Sequence, residues 1–109
     1  MTEKRPSYHV AWLHLGHTKR EKAVRLSGEA PETATEILKE AVDALKKATE
    51  HIDREFQASA FYELSKTYFR LNDLAEASVK AQEACERSSD PKYQTWLEYI
   101  QHKLHVIDQ

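Results

Sequence analysis

Cysteine occurs once, at position 85, which excludes an internal disulfide framework and fits a reducing compartment. Two glycines and three prolines are too few for a strand-and-turn protein or a low-complexity linker. No charge of one sign dominates: acids and bases nearly cancel to a formal net charge of -2, which argues against a general nucleic-acid or membrane-surface binder. No apolar run approaches the length of a membrane span, and residues 1–6 are polar without the apolar core of a signal peptide. What remains is a 109-residue chain with 40% hydrophobic content, enough for one domain with a real core. It reads as soluble, cytoplasmic and all-α.

The pattern is clearest between Ala58 and Pro91. Phe61, Leu64, Tyr68 and Leu71 recur at three- and four-residue steps and share one helix face. Ala77, Ala81 and Ala84 follow on one face of a second helix, with Val79 and Cys85 beside them. Between the two, Asn72 tolerates the left-handed conformation that ends a helix. Asp73 is placed to cap the next, with Glu76 completing a capping box. Small residues on the second helix let it approach the aromatic face of the first.

Earlier in the chain, Pro6-Ser7 offers a helix start with Ser7 as N-cap, after a tail over residues 1–6 expected to be disordered. An amphipathic pattern through Tyr8, Trp12, Leu15, Lys19, Ala23 and Leu26 ends before Gly28, a natural C-cap. Gly16 sits inside this helix at a cost of about 1 kcal/mol relative to Ala, so close approach of a neighbouring helix is its expected reason. Thr33 and Glu36 read as a capping box for a second helix, whose stripe is Ile37, Leu38, Ala41, Leu45, Ala48 and Ile52. Asp90-Pro91 starts a last helix with Leu97, Ile100 and Leu104 at its large positions.

The motifs Trp12-x2-Leu15-Gly16, Ala41-x3-Leu45-x2-Ala48, Phe61-x2-Leu64-x3-Tyr68 and Ala77-x3-Ala81-x2-Ala84 resemble the tetratricopeptide (TPR) helical hairpin. Lys19 stands where an aromatic residue is expected, Ala81 where a large one is usual, and Asn72 where Gly is common. Ala41 to Ala77 and Phe61 to Leu97 are both 36 positions, whereas Trp12 to Ala41 is 29 against 16 for Phe61 to Ala77, so the first hairpin is extended by 13 residues. The resemblance implies an α-solenoid of right-handed antiparallel hairpins in about five helices. Its parts would be an extended first hairpin over 7–54, a second over 55–90, and a capping helix over 91–107.

The resemblance further implies a concave face, lined by the first helix of each hairpin, that binds a peptide or helix. By register its residues are Val10, Leu13, His17 and Arg20 in the first hairpin, and Ser59, Tyr62, Lys66, Phe69 and Arg70 in the second. Lys66 and Arg70 beside aromatics suit an apolar partner segment with acidic residues. The Lys-and-Asn set of the chaperone-binding carboxylate-clamp members is missing, since Leu13 and His17 stand at two of its positions. A non-enzymatic adaptor or scaffold is therefore the leading expectation, with a self-associating structural module as the alternative. No cofactor is expected. Enzyme chemistry would have to use Cys85, which reads as a small buried hydrophobe, or the neighbouring pairs His14/His17 and His102/His105, which lack the further ligands of a structural metal site.

Overall fold

The computed structural model describes residues 6–108, with side chains over 8–106. Five helices fill this span: α1 Pro6–Leu26, α2 Pro31–Ala48, α3 Arg54–Arg70, α4 Leu74–Arg87 and α5 Pro91–Asp108. There is no strand among the described residues. Residues 1–5 of the expected tail lie outside the described residues, while Pro6 already opens α1 and Ser7 is its second residue rather than its cap.

Each break in the chain has a local cause. After α1 the Leu26 carbonyl accepts from the amides of Glu29 and Ala30 at 3.1 and 2.7 Å, closing the turn. No described glycine takes a positive φ and Gly28 faces open space, so its expected role as a left-handed cap is not filled. Helix α2 starts at Pro31, two residues before the expected cap. The proline ring presets the first-turn φ, and its missing N–H would have had no partner there. Thr33 is consequently inside the helix, and no side chain caps Ala30. The same helix stops at Ala48, so Ile52 falls in the following loop and is 90% exposed instead of extending the apolar stripe.

Asp53 opens α3, its carboxylate accepting from the Phe56 amide at 3.0 Å. Asn72 takes the left-handed conformation, φ 65°, and Asp73 caps α4 through the Glu76 amide at 3.2 Å. The return half of that capping box is absent, because the Asp73 amide already donates to the Tyr68 carbonyl at 2.9 Å. Pro91 starts α5, and the Asp90 carboxylate accepts from the Lys92 amide at 3.0 Å.

The core is a chain of three linked clusters. Ala23, Ala34 and Leu38 form the first, Val42, Leu45 and Leu64 the second, and Ala58, Ala84 and Tyr93 the third. Leu71 packs on the first two and Phe61 on the last two, which makes the apolar interior continuous. Leu97 and Ile100 are buried on α5, with Leu104 half-buried.

Helix α1 meets α2 at Gly16. A Cβ built there would lie 2.4 Å from Cγ of Leu45 and 3.3 Å from the Ala41 carbonyl, so the absence of a side chain permits this close approach. The inward face of α1 is then set at seven-residue steps around it: His9, Gly16 and Ala23 are buried, and Arg20 is 5% exposed. The expected stripe is displaced by one position over the first part of the helix, leaving Tyr8 48% and Leu15 41% exposed, and holds at Ala23 and Leu26, which join the core. Hydrophobic periodicity assigns His, Gly and Arg to the outside, yet here packing distance and charge pairing turn them in.

Each helix packs on its sequence neighbours, and α1 also touches α3. Leu13 joins Leu64 and Phe61 in one cluster, while Ala23 and Leu26 join Leu71 in another, so later residues of α1 meet later residues of α3 and the two run parallel. The ring contacts Tyr62–Tyr93 and Phe69–Tyr99 give the same sense for α3 and α5. Helices α1, α3 and α5 thus form one layer, with α2 and α4 packed antiparallel behind them. The resulting slab measures 49 × 34 × 17 Å along its principal axes. Its radius of gyration, 14.1 Å, exceeds the value of about 13 Å for a rounded domain of this length.

Candidate functional site

The layer of α1, α3 and α5 carries a cleft of about 700 Å³. Its walls are Arg20, Glu21 and Val24 from α1, Tyr62, Lys66, Phe69 and Arg70 from α3, and Lys92, Thr95, Trp96 and Tyr99 from α5.

Aromatic rings make the floor. Trp96 stacks on Tyr99 with centroids 5.5 Å apart and meets Phe69 edge-on at 5.4 Å; Tyr62 contacts Tyr93 at 5.1 Å and Trp96 at 6.3 Å. Trp96 is fixed from beneath. Its indole N–H donates to the Ser65 hydroxyl at 2.7 Å, and that hydroxyl donates to the Ala77 carbonyl of α4 at 2.6 Å. Ser65 is fully buried, so this relay ties the three C-terminal helices together through polar groups that would otherwise lack partners.

Cations stand over this floor. The Lys66 ammonium lies 4.6 Å from the Tyr62 centroid, and the Lys92 ammonium lies 5.8 Å from the same ring and 5.2 Å from Tyr93. Among the described residues no carboxylate comes within 4 Å of Lys66 or Arg70, and Lys92 has only Asp90 at 4.0 Å, both half-exposed. A chain with net charge -2 therefore concentrates unneutralised positive charge in its cleft.

The α1 wall is different. Arg20 is buried against Glu63 of α3, with which it forms an ion pair, and Glu21 lies 3.5 Å from the same guanidinium. His17 Nδ1 stands 3.3 Å from Glu63 and 3.3 Å from Arg20. Burial pushes the Glu63 carboxyl up, but the charge and hydrogen bond of Arg20, with those of His17, outweigh it and hold the group below its ordinary value. This cluster is the polar joint between the first hairpin and α3.

Of the residues expected on the concave face, Arg20, Tyr62, Lys66, Phe69 and Arg70 line the cleft and Val10, Leu13, His17 and Ser59 do not. Leu13 lies three residues before Gly16, on the face that α1 presses inward, and packs with Val42, Leu45 and Leu64. His17 turns to Glu63, and His14 is exposed. The Ser59 hydroxyl is engaged by the Tyr93 hydroxyl at 3.2 Å, and Val10 is an exposed residue near the start of α1. Arg20 lines the wall without offering a free charge.

The α5 contribution is absent from the expected set, because a helix read as a cap supplies no binding residues. A signal was present in Tyr93-x2-Trp96-x2-Tyr99, three aromatics sharing one helix face. Elsewhere, no three His, Cys, Asp or Glu side chains converge as a metal-binding group among the described residues. Cys85 is half-buried on α4, and burial, then Glu86 and Glu98, push its thiol up; a thiol held protonated is a poor nucleophile. No helix among the described residues is long and apolar enough to cross a membrane.

No protein-family model, curated protein or solved structure matches this chain.

Proposed function

We propose that the chain is a non-enzymatic protein-interaction module of tetratricopeptide type, an adaptor or scaffold that holds a peptide or helix of a partner protein on its α1/α3/α5 layer. The observation that carries this reading is the cleft itself, where half-buried Tyr62, Phe69 and Trp96 share an open surface with Lys66 and Arg70, cations without a carboxylate partner within 4 Å. Aromatic surface left open to solvent marks interaction sites, and aromatic rings with arginine beside them are enriched at interfaces. The cytoplasm, where a lone thiol stays reduced, is the compartment this reading expects.

A photo-cross-linking side chain placed at Thr95 in the cleft, and separately at Gln82 on the outer face of α4, tests it. A partner adduct is expected from position 95 and not from 82, and its loss is expected on Tyr62→Ala with Lys66→Glu. Equal adducts from both positions would refute the assignment of the binding face.

A second reading, self-association, has its own observation: Tyr8 and Leu15, seven residues apart on one side of α1, are both exposed. Light scattering at high concentration separates the two, since a monomeric mass removes self-association and leaves the cleft available.

A further inference from the structure

The two ends of the helical stack differ in chemistry. On α5 the flank turned away from α3 carries Gln94, Glu98 and Gln101, exposed and polar, as the last unit of such a stack requires. On α1 the residues Tyr8, Trp12, Leu15 and Lys19 follow at four- and three-residue steps and share one flank. That flank also faces away from α3: Trp12 and Lys19 meet α2, whereas their neighbours Leu13 and Arg20 meet α3. Tyr8 and Leu15 are exposed on it, so this end lacks the polar cover of the other.

Two side-chain pairs on this end face are related by a half-turn. The Lys47 ammonium of α2 lies 4.3 Å from the Trp12 ring centroid, and the Lys19 ammonium donates to the Glu40 carboxylate of α2 at 2.9 Å. Trp12 and Lys19 are seven residues apart on α1, and Glu40 and Lys47 are seven apart on the antiparallel α2. A two-fold axis crossing the helices midway between the pairs lays each pair on the other pair of a second copy. Lys47 then reaches Glu40 of the second copy and Lys19 reaches its Trp12, each contact being made twice. Leu15 falls at the axis against its own counterpart, and Tyr8 falls inside the overlap. The end face measures 34 × 17 Å, about 580 Å² in each copy and about 1,200 Å² for the two, which is the lower edge of specific interfaces.

Resting on the reading of self-association, we infer that the α1/α2 end face is a two-fold dimer interface whose occupant is a second copy of this chain. Head-to-tail stacking sets the apolar α1 end on the polar α5 end, whereas the half-turn matches the α1 end to itself and closes the assembly. The axis runs from one helix layer to the other, so both α1/α3/α5 layers face the same side. The cleft residues Arg20, Glu21 and Val24 lie on the opposite flank of α1 from Leu15, and the dimer therefore presents two open clefts together.

Sedimentation equilibrium of the full chain, from low micromolar to millimolar concentration, is expected to show a monomer passing into a dimer. Glu40→Lys and Lys47→Glu, both at exposed positions, each weaken that dimer tenfold or more, because like charges then meet twice. Mixing the two variants restores it, since both contacts then join a lysine to a glutamate. The exchange of both residues within one chain, Glu40→Lys with Lys47→Glu, restores it for the same reason. Tyr62→Ala with Lys66→Glu leaves it unchanged. A monomer at every concentration overturns the inference together with self-association. A dimer indifferent to either charge reversal, not restored on mixing, or abolished by the cleft variant overturns this interface while leaving self-association standing.

Discussion

Replacing Gly16 by alanine sets two opposing effects against each other. Alanine in a helix interior is favoured over glycine by about 1 kcal/mol. Against this, the added Cβ would fall 2.4 Å from Leu45 Cγ and 2.6 Å from its Cδ2, with the Ala41 carbonyl at 3.3 Å. Carbon atoms rest about 3.5–4.0 Å apart, so the helices must separate by about 1 Å or Leu45 must leave its place. Leu45 is fully buried and its clashing atom is the branch point, not a flexible end. Overpacking of this kind costs about 1–3 kcal/mol, occasionally more. The clash wins, and Gly16→Ala is expected to lose up to about 2 kcal/mol net, with Tm falling by roughly 4–8 °C for each kcal/mol lost. In a Leu45→Ala background, itself costing about 2–5 kcal/mol, the clashing atoms are gone and Gly16→Ala becomes stabilising by up to about 1 kcal/mol. Urea unfolding of all four proteins, followed by circular dichroism, gives the cycle directly. A Gly16→Ala chain more stable than wild type, or the same sign in both backgrounds, would refute the account of how α1 seats on α2.

Glu63→Gln removes the main partner of buried Arg20 and is expected to cost about 3 kcal/mol in urea titrations, the low end for a buried pair because Glu21 still faces the guanidinium. Because the folded state holds Glu63 below its ordinary value, its stabilisation is complete above about pH 4.5 and is lost as pH falls through the lowered value; the variant should show a flatter stability profile across that acid range. Ser65→Ala leaves the Trp96 indole N–H without its acceptor and should cost about 1–3 kcal/mol, with faster hydrogen exchange at that indole measured by NMR. Asp53→Ala removes the α3 cap for about 1 kcal/mol, read from the urea midpoint. Ile52→Ser, at a residue 90% exposed, should stay within about 0.5 kcal/mol of wild type in the same assay.

Much of the architecture was legible in the residues. Helix class followed from three- and four-residue periodicity, and the break at Asn72-Asp73 and the start at Pro91 from turn and cap chemistry, because those signals act within one turn of chain. The errors share a cause. Proline at the first helical position overrode the Thr33–Glu36 box, and a helix that ended at Ala48 stranded Ile52. On α1 the apolar count pointed Tyr8 and Leu15 inward, whereas the neighbouring helix presses on Gly16 and so draws in His9, Leu13 and Arg20. Arg20 can be buried there only because Glu63, 43 residues away, meets it. The α3 part of the cleft, Tyr62, Lys66, Phe69 and Arg70, was readable as the flank opposite the α4-facing stripe. The α5 part was visible as an aromatic stripe but had no partner until α5 was laid parallel to α3.

The sequence by itself determined that this chain is helical, roughly where its helices turn, and that alanine-rich faces would lie against aromatic ones, since these follow from local propensity and the period of side chains around a helix. Only the tertiary structure decided which flank of α1 is inside, that Trp96 and Tyr99 floor the same cleft as Tyr62 and Phe69, and that two lysines from different helices share one ring. Those outcomes depend on distances between residues far apart in the chain, where packing and charge pairing between helices override the hydropathy of any single one.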